Sequence, residues 1–133
     1  MNKIEHIAIA VKNMDASNLL FEKLLNTKPY KQEMVVSEKV KTSFFKLGET
    51  KVELLEPIGN DGPIAKFLES KGEGLHHIAF EVEDIKAEMQ RLKAEGFVLL
   101  NEEPKQGADN KLICFLHPKS SNGVLIELCQ EIK

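Results

Sequence analysis

The chain has 133 residues, a mass of 15.0 kDa and 42% hydrophobic residues, which suits one compact soluble domain. Its formal net charge of −3, with both signs interspersed, offers no basic patch for nucleic acid or an anionic membrane. No apolar run reaches the length of a membrane span, and the N-terminus lacks the apolar core of a signal peptide. We therefore expect a cytoplasmic protein without nucleic-acid or membrane partners. Cys114 and Cys129 lack the spacing of a metal motif and are expected to be free core thiols.

The first half of the chain predicts a strand, a helix and three further strands. Alternation over residues 3–11 indicates the first strand. Asn13 or Asp15 can cap the helix that follows, which is expected to end near Leu25. Residues 48–50, Gly-Glu-Thr, predict a hairpin turn. The apolar stripe of the helix is expected at Leu19, Leu20, Phe21 and Leu24, and the strands at 31–36, 41–47 and 51–55.

The second half repeats this order after a linker with a short helix. Pro63 suits the first turn of the linker helix and Gly72 its end. Asp84 caps a second long helix, which Gly96 ends. The apolar face of that helix is expected at Ile85, Met89 and Leu92, the strands at 75–82, 97–101, 112–116 and 124–129, and polar loops at 104–110 and 117–123. The sequence thus predicts an α+β fold: one domain, 1–133, of two tandem βαβββ modules, about 1–57 and 74–133, joined by a linker at 58–73.

The two modules share a sequence repeat that carries one histidine and one glutamate each. The first strand of each module contains the sequence His-Ile-Ala, at His6 and again at His77. Glu53 follows His6 by 47 residues, and Glu127 follows His77 by 50. Each glutamate is followed by leucine, so the dipeptide Glu-Leu is repeated as well. Strand alternation places these four side chains on the faces opposite the bulky residues that the helices should cover. A repeat that preserves imidazole and carboxylate groups indicates one metal site built by both modules.

The expected site combines two imidazoles and two carboxylates. Such a ligand set suits Co²⁺, Mn²⁺, Ni²⁺ or Zn²⁺, and four ligands leave two positions of an octahedral shell open. The two faces are expected to curl around one cavity, in which small residues leave space for the metal and a substrate. These small residues are Ala8, Ala10 and Ala79.

The chain resembles the vicinal oxygen chelate superfamily, and within it the methylmalonyl-CoA epimerase family. The resemblance extends over nearly the whole chain and is most specific at the double histidine and at the last hairpin. It is carried by residues 4–8 (IEHIA), 52–57 (VELLEP), 63–68 (PIAKFL), 74–79 (GLHHIA), 115–119 (FLHPK) and 123–128 (GVLIEL). The resemblance implies a mixed β-sheet curled around the metal site in a glyoxalase-like fold, a homodimer and an acyl-CoA thioester substrate. It implies metal ligands at His6, Glu53, His77 and Glu127, with Co²⁺ as the foremost candidate metal.

The resemblance further implies that the chain interconverts (2R)- and (2S)-methylmalonyl-CoA by removing and returning the α-proton through a metal-stabilised enolate. Glu127 is the expected proton-transfer residue. Some family members carry a second active-site glutamate where this chain has Thr42, and residues 41–46 contain no acid. The second acid is therefore open between Glu53, a metal-bound water and the 102–103 pair of glutamates. Lys119 is a candidate contact for the CoA phosphates on charge grounds.

Two other functions remain open from the sequence. Glyoxalase I belongs to the same superfamily and uses a similar ligand set, but usually carries an Asp-Pro-Asp-Gly turn where this chain has residues 117–120, His-Pro-Lys-Ser. A metal-free small-molecule-binding protein of the same fold is the second alternative, although such proteins generally lack the four ligands.

Overall fold

The computed structural model describes residues 1–133 and contains eight strands and three α-helices. The elements are β1 (Lys3–Ala10), α1 (Met14–Leu25), β2 (Lys31–Val35), β3 (Val40–Leu47), β4 (Thr50–Pro57), α2 (Pro63–Lys71), β5 (Gly74–Glu81), α3 (Ile85–Ala94), β6 (Lys105–Gln106), β7 (Lys111–Leu116) and β8 (Ile126–Glu131). Short 3₁₀ turns lie at Val36–Glu38 and Pro118–Ser120. None of the helices is long and apolar enough to cross a membrane.

The chain forms two compact units. The first unit contains Met1–His6 and His77–Lys133, and the second contains Ile7–His76, so β1 contributes to both. In the first unit the hydrogen-bonded strand order is β1, β5, β8, β7, β6, with β5 and β8 parallel and the β6–β7 and β7–β8 pairs antiparallel. In the second unit the order is β2, β3, β4, β1, and the β2–β3 and β3–β4 pairs are antiparallel. The predicted mixture of parallel and antiparallel strands is therefore present.

Helix α1 of the second unit is capped by Asn13, whose side chain accepts a hydrogen bond from the Ala16 N–H at 2.9 Å. The helix buries Met14 and Asn18. The prediction of the apolar stripe was wrong. Its three leucines point outward, and of its four residues only Phe21 packs against the core. At 100° per residue, positions 14, 18, 21 and 25 share the inner face. The outward leucines, 59 to 70% exposed, are Leu19, Leu20 and Leu24.

The turns of the second unit follow the glycine and proline signals. The β3–β4 hairpin pairs Leu47 with Thr50, and Gly48 starts the turn at a φ of 60°, which glycine adopts without strain. Helix α2 starts at Pro63 as predicted. It covers Ala8 and Ala10, which are fully buried, so the expectation that these alanines leave open space was wrong. They lie in one hydrophobic cluster with Val40, Leu55 and Ile64.

The first unit is held by helix α3 on one face of its strands. The Asp84 carboxylate caps the helix by accepting from the Ala87 N–H at 3.1 Å, as predicted. Burial of the apolar face of the helix stabilises this unit. The predicted face of Ile85, Met89 and Leu92 packs against Val82, Cys114, Leu116 and Leu128.

The segment between α3 and β7 departs from the prediction. The expected strand at 97–101 is limited to one isolated bridge between Leu99 and Leu116. The pairing stops at Asn101, whose side-chain oxygen accepts from the Phe115 N–H at 3.0 Å and so replaces a backbone partner. The short strand β6 lies instead in the expected loop. Likewise β8 begins two residues later than predicted, because the Ser121 hydroxyl donates to the Val124 carbonyl at 2.7 Å and keeps that residue in the turn.

Candidate metal centre

Three of the predicted ligands lie together inside the first unit. His6 is on β1, His77 on β5 and Glu127 on β8, three strands adjacent in the sheet. The His6 Nε2 and His77 Nε2 atoms are 3.2 Å apart. The Glu127 Oε1 atom is 2.9 Å from the His77 Nε2 and 3.7 Å from the His6 Nε2. Three potential ligand atoms therefore converge, all within 4.8 Å of one another.

The cluster is buried and partly walled by apolar side chains. His6, His77 and Glu127 are 6, 5 and 5% exposed. The Phe115 ring packs edge-on against the His77 ring, with centroids 5.3 Å apart and planes at 89°. Phe115 also belongs to a hydrophobic cluster that walls this side of the sheet. The buried members of that cluster are Ala79, Ile113 and Cys129. Charges act more strongly in such surroundings than in water.

The electrostatics of the cluster keep Glu127 ionised. Burial alone raises the pKa of the Glu127 carboxyl, but its interactions with the neighbouring His6 and His77 side chains lower the pKa and outweigh that effect. The net result is a pKa well below the usual range of a glutamate. Glu127 is therefore a carboxylate at neutral pH, the form that binds a cation or accepts a proton.

The cluster fits a divalent cation. Two imidazole nitrogens and one carboxylate oxygen form a donor set that first-row divalent ions favour. The Nδ1 atom of His6 faces the Glu5 carboxylate at 2.8 Å, so its Nε2 is the atom directed at His77 and Glu127. Three donor atoms this close together in a buried site can coordinate one cation. The donor set alone does not select among Co²⁺, Mn²⁺, Ni²⁺ and Zn²⁺.

The fourth predicted ligand, Glu53, belongs to the second unit. It lies on β4 opposite Phe44 and is 4% exposed. Its role as a ligand, like the catalytic role of Glu127, stays a prediction.

The other residues singled out from the sequence have different surroundings. The buried Thr42 hydroxyl donates to the Glu33 carbonyl at 3.0 Å, so this position contributes a neutral side chain held by the backbone. The His76 ring packs on Phe67, with centroids 4.9 Å apart. Lys119 is exposed beside the Pro118–Ser120 turn. Glu102 and Glu103 are likewise exposed.

Glu5 and Phe115 are site neighbours that the sequence did not reveal. Strand alternation assigns Glu5 to the face opposite His6, which hides their contact. An acid directly beside a candidate histidine ligand was the available signal for Glu5. The edge-on contact of Phe115 depends on the β7–β8 register, in which Phe115 is paired with Glu127, and no local pattern predicts it.

Comparison with known proteins decides the family. A sequence profile of the Glyoxalase/Bleomycin resistance protein/Dioxygenase superfamily matches residues 5–115. The chain belongs to this superfamily. The predicted glyoxalase-like α+β fold is thereby confirmed.

Close relatives in this superfamily are epimerases. The chain is 40% identical over 131 residues to the mitochondrial methylmalonyl-CoA epimerase of Homo sapiens, covering 98% of this chain and 74% of that protein. It is 42% identical over 132 residues to an ethylmalonyl-CoA/methylmalonyl-CoA epimerase of Cereibacter sphaeroides, covering 98% of each. A variant of the Streptomyces coelicolor methylmalonyl-CoA epimerase, solved in complex with 2-nitronate-propionyl-CoA, superposes with a TM-score of 0.96 at 32% identity, covering 100% of this chain and 99% of that one. The predicted resemblance to these epimerases, and with it the assignment to the isomerase class, is confirmed.

Proposed function

We propose that this chain is a metal-dependent epimerase that interconverts (2R)- and (2S)-methylmalonyl-CoA. The observation that carries the proposal is the convergence of the His6, His77 and Glu127 ligand atoms within 4.8 Å in a buried site. Relatives named as methylmalonyl-CoA epimerases, aligned with 98% of the chain, support the substrate. The function also matches the chemistry of the donor set, since removal of an α-proton beside a thioester requires stabilisation of negative charge.

The histidines are proposed to hold the metal. His6 and His77 would each offer the Nε2 atom and Glu127 a carboxylate oxygen, with Glu53 as a fourth ligand on the strength of the sequence resemblance. A bound divalent cation supplies Lewis-acid stabilisation of the negative charge that develops on the substrate oxygens. Co²⁺ is the foremost candidate, again from the resemblance.

Glu127 is proposed to transfer the α-proton. Its carboxyl group is ionised at neutral pH, which is the state a general base must have before it reacts. The apolar surroundings provided by Phe115, Ala79 and Ile113 would limit the water that can compete for the proton. The group that serves the opposite face of the α-carbon is left unassigned.

An acyl-CoA thioester is the proposed substrate. A methylmalonyl-CoA epimerase solved in complex with methylmalonyl-CoA and NH₄⁺ is 32% identical to this chain, with a TM-score of 0.95, and supports this choice. Exposed Lys119 remains the candidate contact for the CoA phosphates. From the sequence we further propose that the chain is one domain built of two βαβββ modules, and that it forms a homodimer in the cytoplasm.

Deuterium exchange at the α-carbon tests the proposal. Protein stripped of metal is incubated with methylmalonyl-CoA in heavy water, with and without added Co²⁺, and the α-proton signal is followed by NMR. We expect exchange that depends on both the protein and Co²⁺. Absence of exchange with Co²⁺ present would contradict the proposed function.

Two further measurements separate the alternatives. Rapid formation of thioester absorbance from methylglyoxal and glutathione would instead indicate a glyoxalase I. Elemental analysis that finds no retained divalent metal after exposure to Co²⁺, Mn²⁺, Ni²⁺ and Zn²⁺ would favour the metal-free binding protein.

A further inference from the structure

We propose that Glu5 is a positioning residue that fixes the ring of His6, so that its Nε2 atom is presented to a divalent cation. The inference rests on the proposed function, because it concerns the same metal site. It adds a residue that lies outside the ligand set and that the sequence did not reveal.

The hydrogen bond between the two residues determines the proton on the ring. The Glu5 Oε1 atom is 2.8 Å from the His6 Nδ1, a hydrogen-bonding distance. An ionised carboxylate can only accept, so the His6 Nδ1 must carry the hydrogen. In the neutral ring the Nε2 atom then holds the free lone pair. That atom faces the His77 Nε2 at 3.2 Å, so the lone pair points to the centre of the ligand cluster.

Burial favours the hydrogen bond between Glu5 and His6 over contacts with water. Glu5 is 2% exposed and His6 is 6% exposed, so little water is available to replace the hydrogen bond. Rotation of the ring away from Glu5 would leave a buried carboxylate without this donor, which is unfavourable. The carboxylate also raises the basicity of the imidazole as a ligand. Glu5 therefore fixes the orientation and the tautomer of the His6 ring and raises its basicity.

His117 provides a contrast within the same unit. Its Nδ1 accepts a hydrogen bond from the Lys119 N–H at 3.1 Å, so this ring in its neutral form carries the hydrogen on Nε2. The chain thus contains two histidines whose local contacts select opposite tautomers. Histidine NMR can report both in one sample, with His117 as the internal reference.

The first test is the tautomer and the cation affinity of Glu5→Gln. The amide has nearly the same shape but can donate as well as accept, so it no longer selects one tautomer. In metal-free protein labelled with ¹⁵N-histidine, we expect the His6 Nδ1–H form in the wild type and a mixture in Glu5→Gln, while His117 is unchanged. Calorimetric titration with Co²⁺ alone should show a loss of affinity of about 10- to 100-fold.

Two further variants control for charge and for folding. Glu131→Gln removes the same charge from an exposed position of β8 and should change the Co²⁺ affinity by no more than about twofold. Glu5→Asp keeps an acceptor-only carboxylate, so it should retain the Nδ1–H tautomer and more of the affinity than Glu5→Gln does.

The outcomes distinguish this inference from the proposed function. Wild-type protein that binds no Co²⁺ would overturn the metal site and, with it, the role of Glu5. Wild-type binding accompanied by unchanged affinity and an unchanged His6 tautomer in Glu5→Gln would overturn the role of Glu5 alone. If Glu5→Gln does not fold, a Glu5→Asp protein with a mixed His6 tautomer and full affinity would overturn it equally.

Discussion

The buried polar side chains of the two units are arranged differently. In the second unit the Ser43 hydroxyl donates to the Asn18 side-chain oxygen at 2.7 Å, and the Asn18 amide donates to the Gln32 side chain at 3.3 Å. These groups are neutral, and donors are matched to acceptors. Glu53 is the one buried ionisable side chain of the second unit, whereas the first unit brings three together, with His6, His77 and Glu127 facing one another.

The difference separates a structural network from a functional one. The Asn18 network connects helix α1 to strands β2 and β3 and satisfies groups that the fold must bury. The histidine and glutamate cluster concentrates lone pairs that the fold has no need to assemble. Clusters of this kind are typical of functional sites. The predictions below test whether the two networks can be perturbed independently.

Substitution at Glu127 should give the largest effect. Glu127→Ala removes a ligand and the proposed base, so α-proton exchange should fall by about 10²- to 10⁴-fold, with weaker Co²⁺ binding. The measurement is exchange in heavy water together with calorimetry. Glu131→Ala, at an exposed position of the same strand, is the matched control and should stay active. An unchanged rate in Glu127→Ala would refute both roles of the residue.

Substitution of either histidine should abolish cation binding to a similar extent. His6→Ala and His77→Ala each remove one Nε2 ligand, so the Co²⁺ affinity should fall by at least about 100-fold, more than loss of a supporting contact usually causes. His76→Ala, at the neighbouring position that packs on Phe67, is the control and should bind Co²⁺ as the wild type does. Strongly unequal losses in the two variants would argue against a shared ligand set.

Asn18→Ala should lower the stability of the protein and leave cation binding intact. It leaves the buried Ser43 hydroxyl without its acceptor, so the free energy of unfolding should fall by about 1–3 kcal/mol, while Co²⁺ affinity is unchanged. Urea unfolding followed by circular dichroism measures the first quantity. Leu20→Ala, on the exposed face of the same helix, should change stability by no more than about 0.5 kcal/mol. A loss of cation affinity in Asn18→Ala would show that the networks are coupled.

The two cysteines should show the smallest effect, on reactivity alone. Burial raises the pKa of the Cys114 thiol, and burial together with the negative charges of Glu127 and Glu5 raises that of Cys129. A raised pKa leaves less thiolate at pH 8, so alkylation by iodoacetamide should be at least about tenfold slower in native protein than in urea. Mass spectrometry measures the rates. Equal alkylation rates in native protein and in urea would contradict the buried surroundings of the two thiols.

The strand pattern of the site was predictable because side chains alternate with a period of two. The echo of His-Ile-Ala at positions 6 and 77 and the position of Glu127 in the last strand were sufficient to nominate three residues that the structure brings together. The caps at Asn13 and Asp84 were also readable, because a short polar side chain before an apolar run has few other uses.

Other features depend on tertiary contacts that no local pattern encodes. The leucines of α1 predict a buried stripe, but the core selects the face of Met14 and Asn18. The pairing near Leu99 ends because Asn101 bonds to the Phe115 backbone, a contact across 14 residues. The partner of His6 was missed because strand alternation separates Glu5 from it, whereas their side chains meet in the fold.

Anomalous diffraction from crystals grown with Co²⁺ tests the central claim most directly. The structure predicts one strong peak within bonding distance of the His6 Nε2, the His77 Nε2 and a Glu127 carboxylate oxygen, and the sequence resemblance adds Glu53 as the fourth ligand. A peak bonded to none of the first three atoms, or no peak in crystals that contain Co²⁺, would contradict the account.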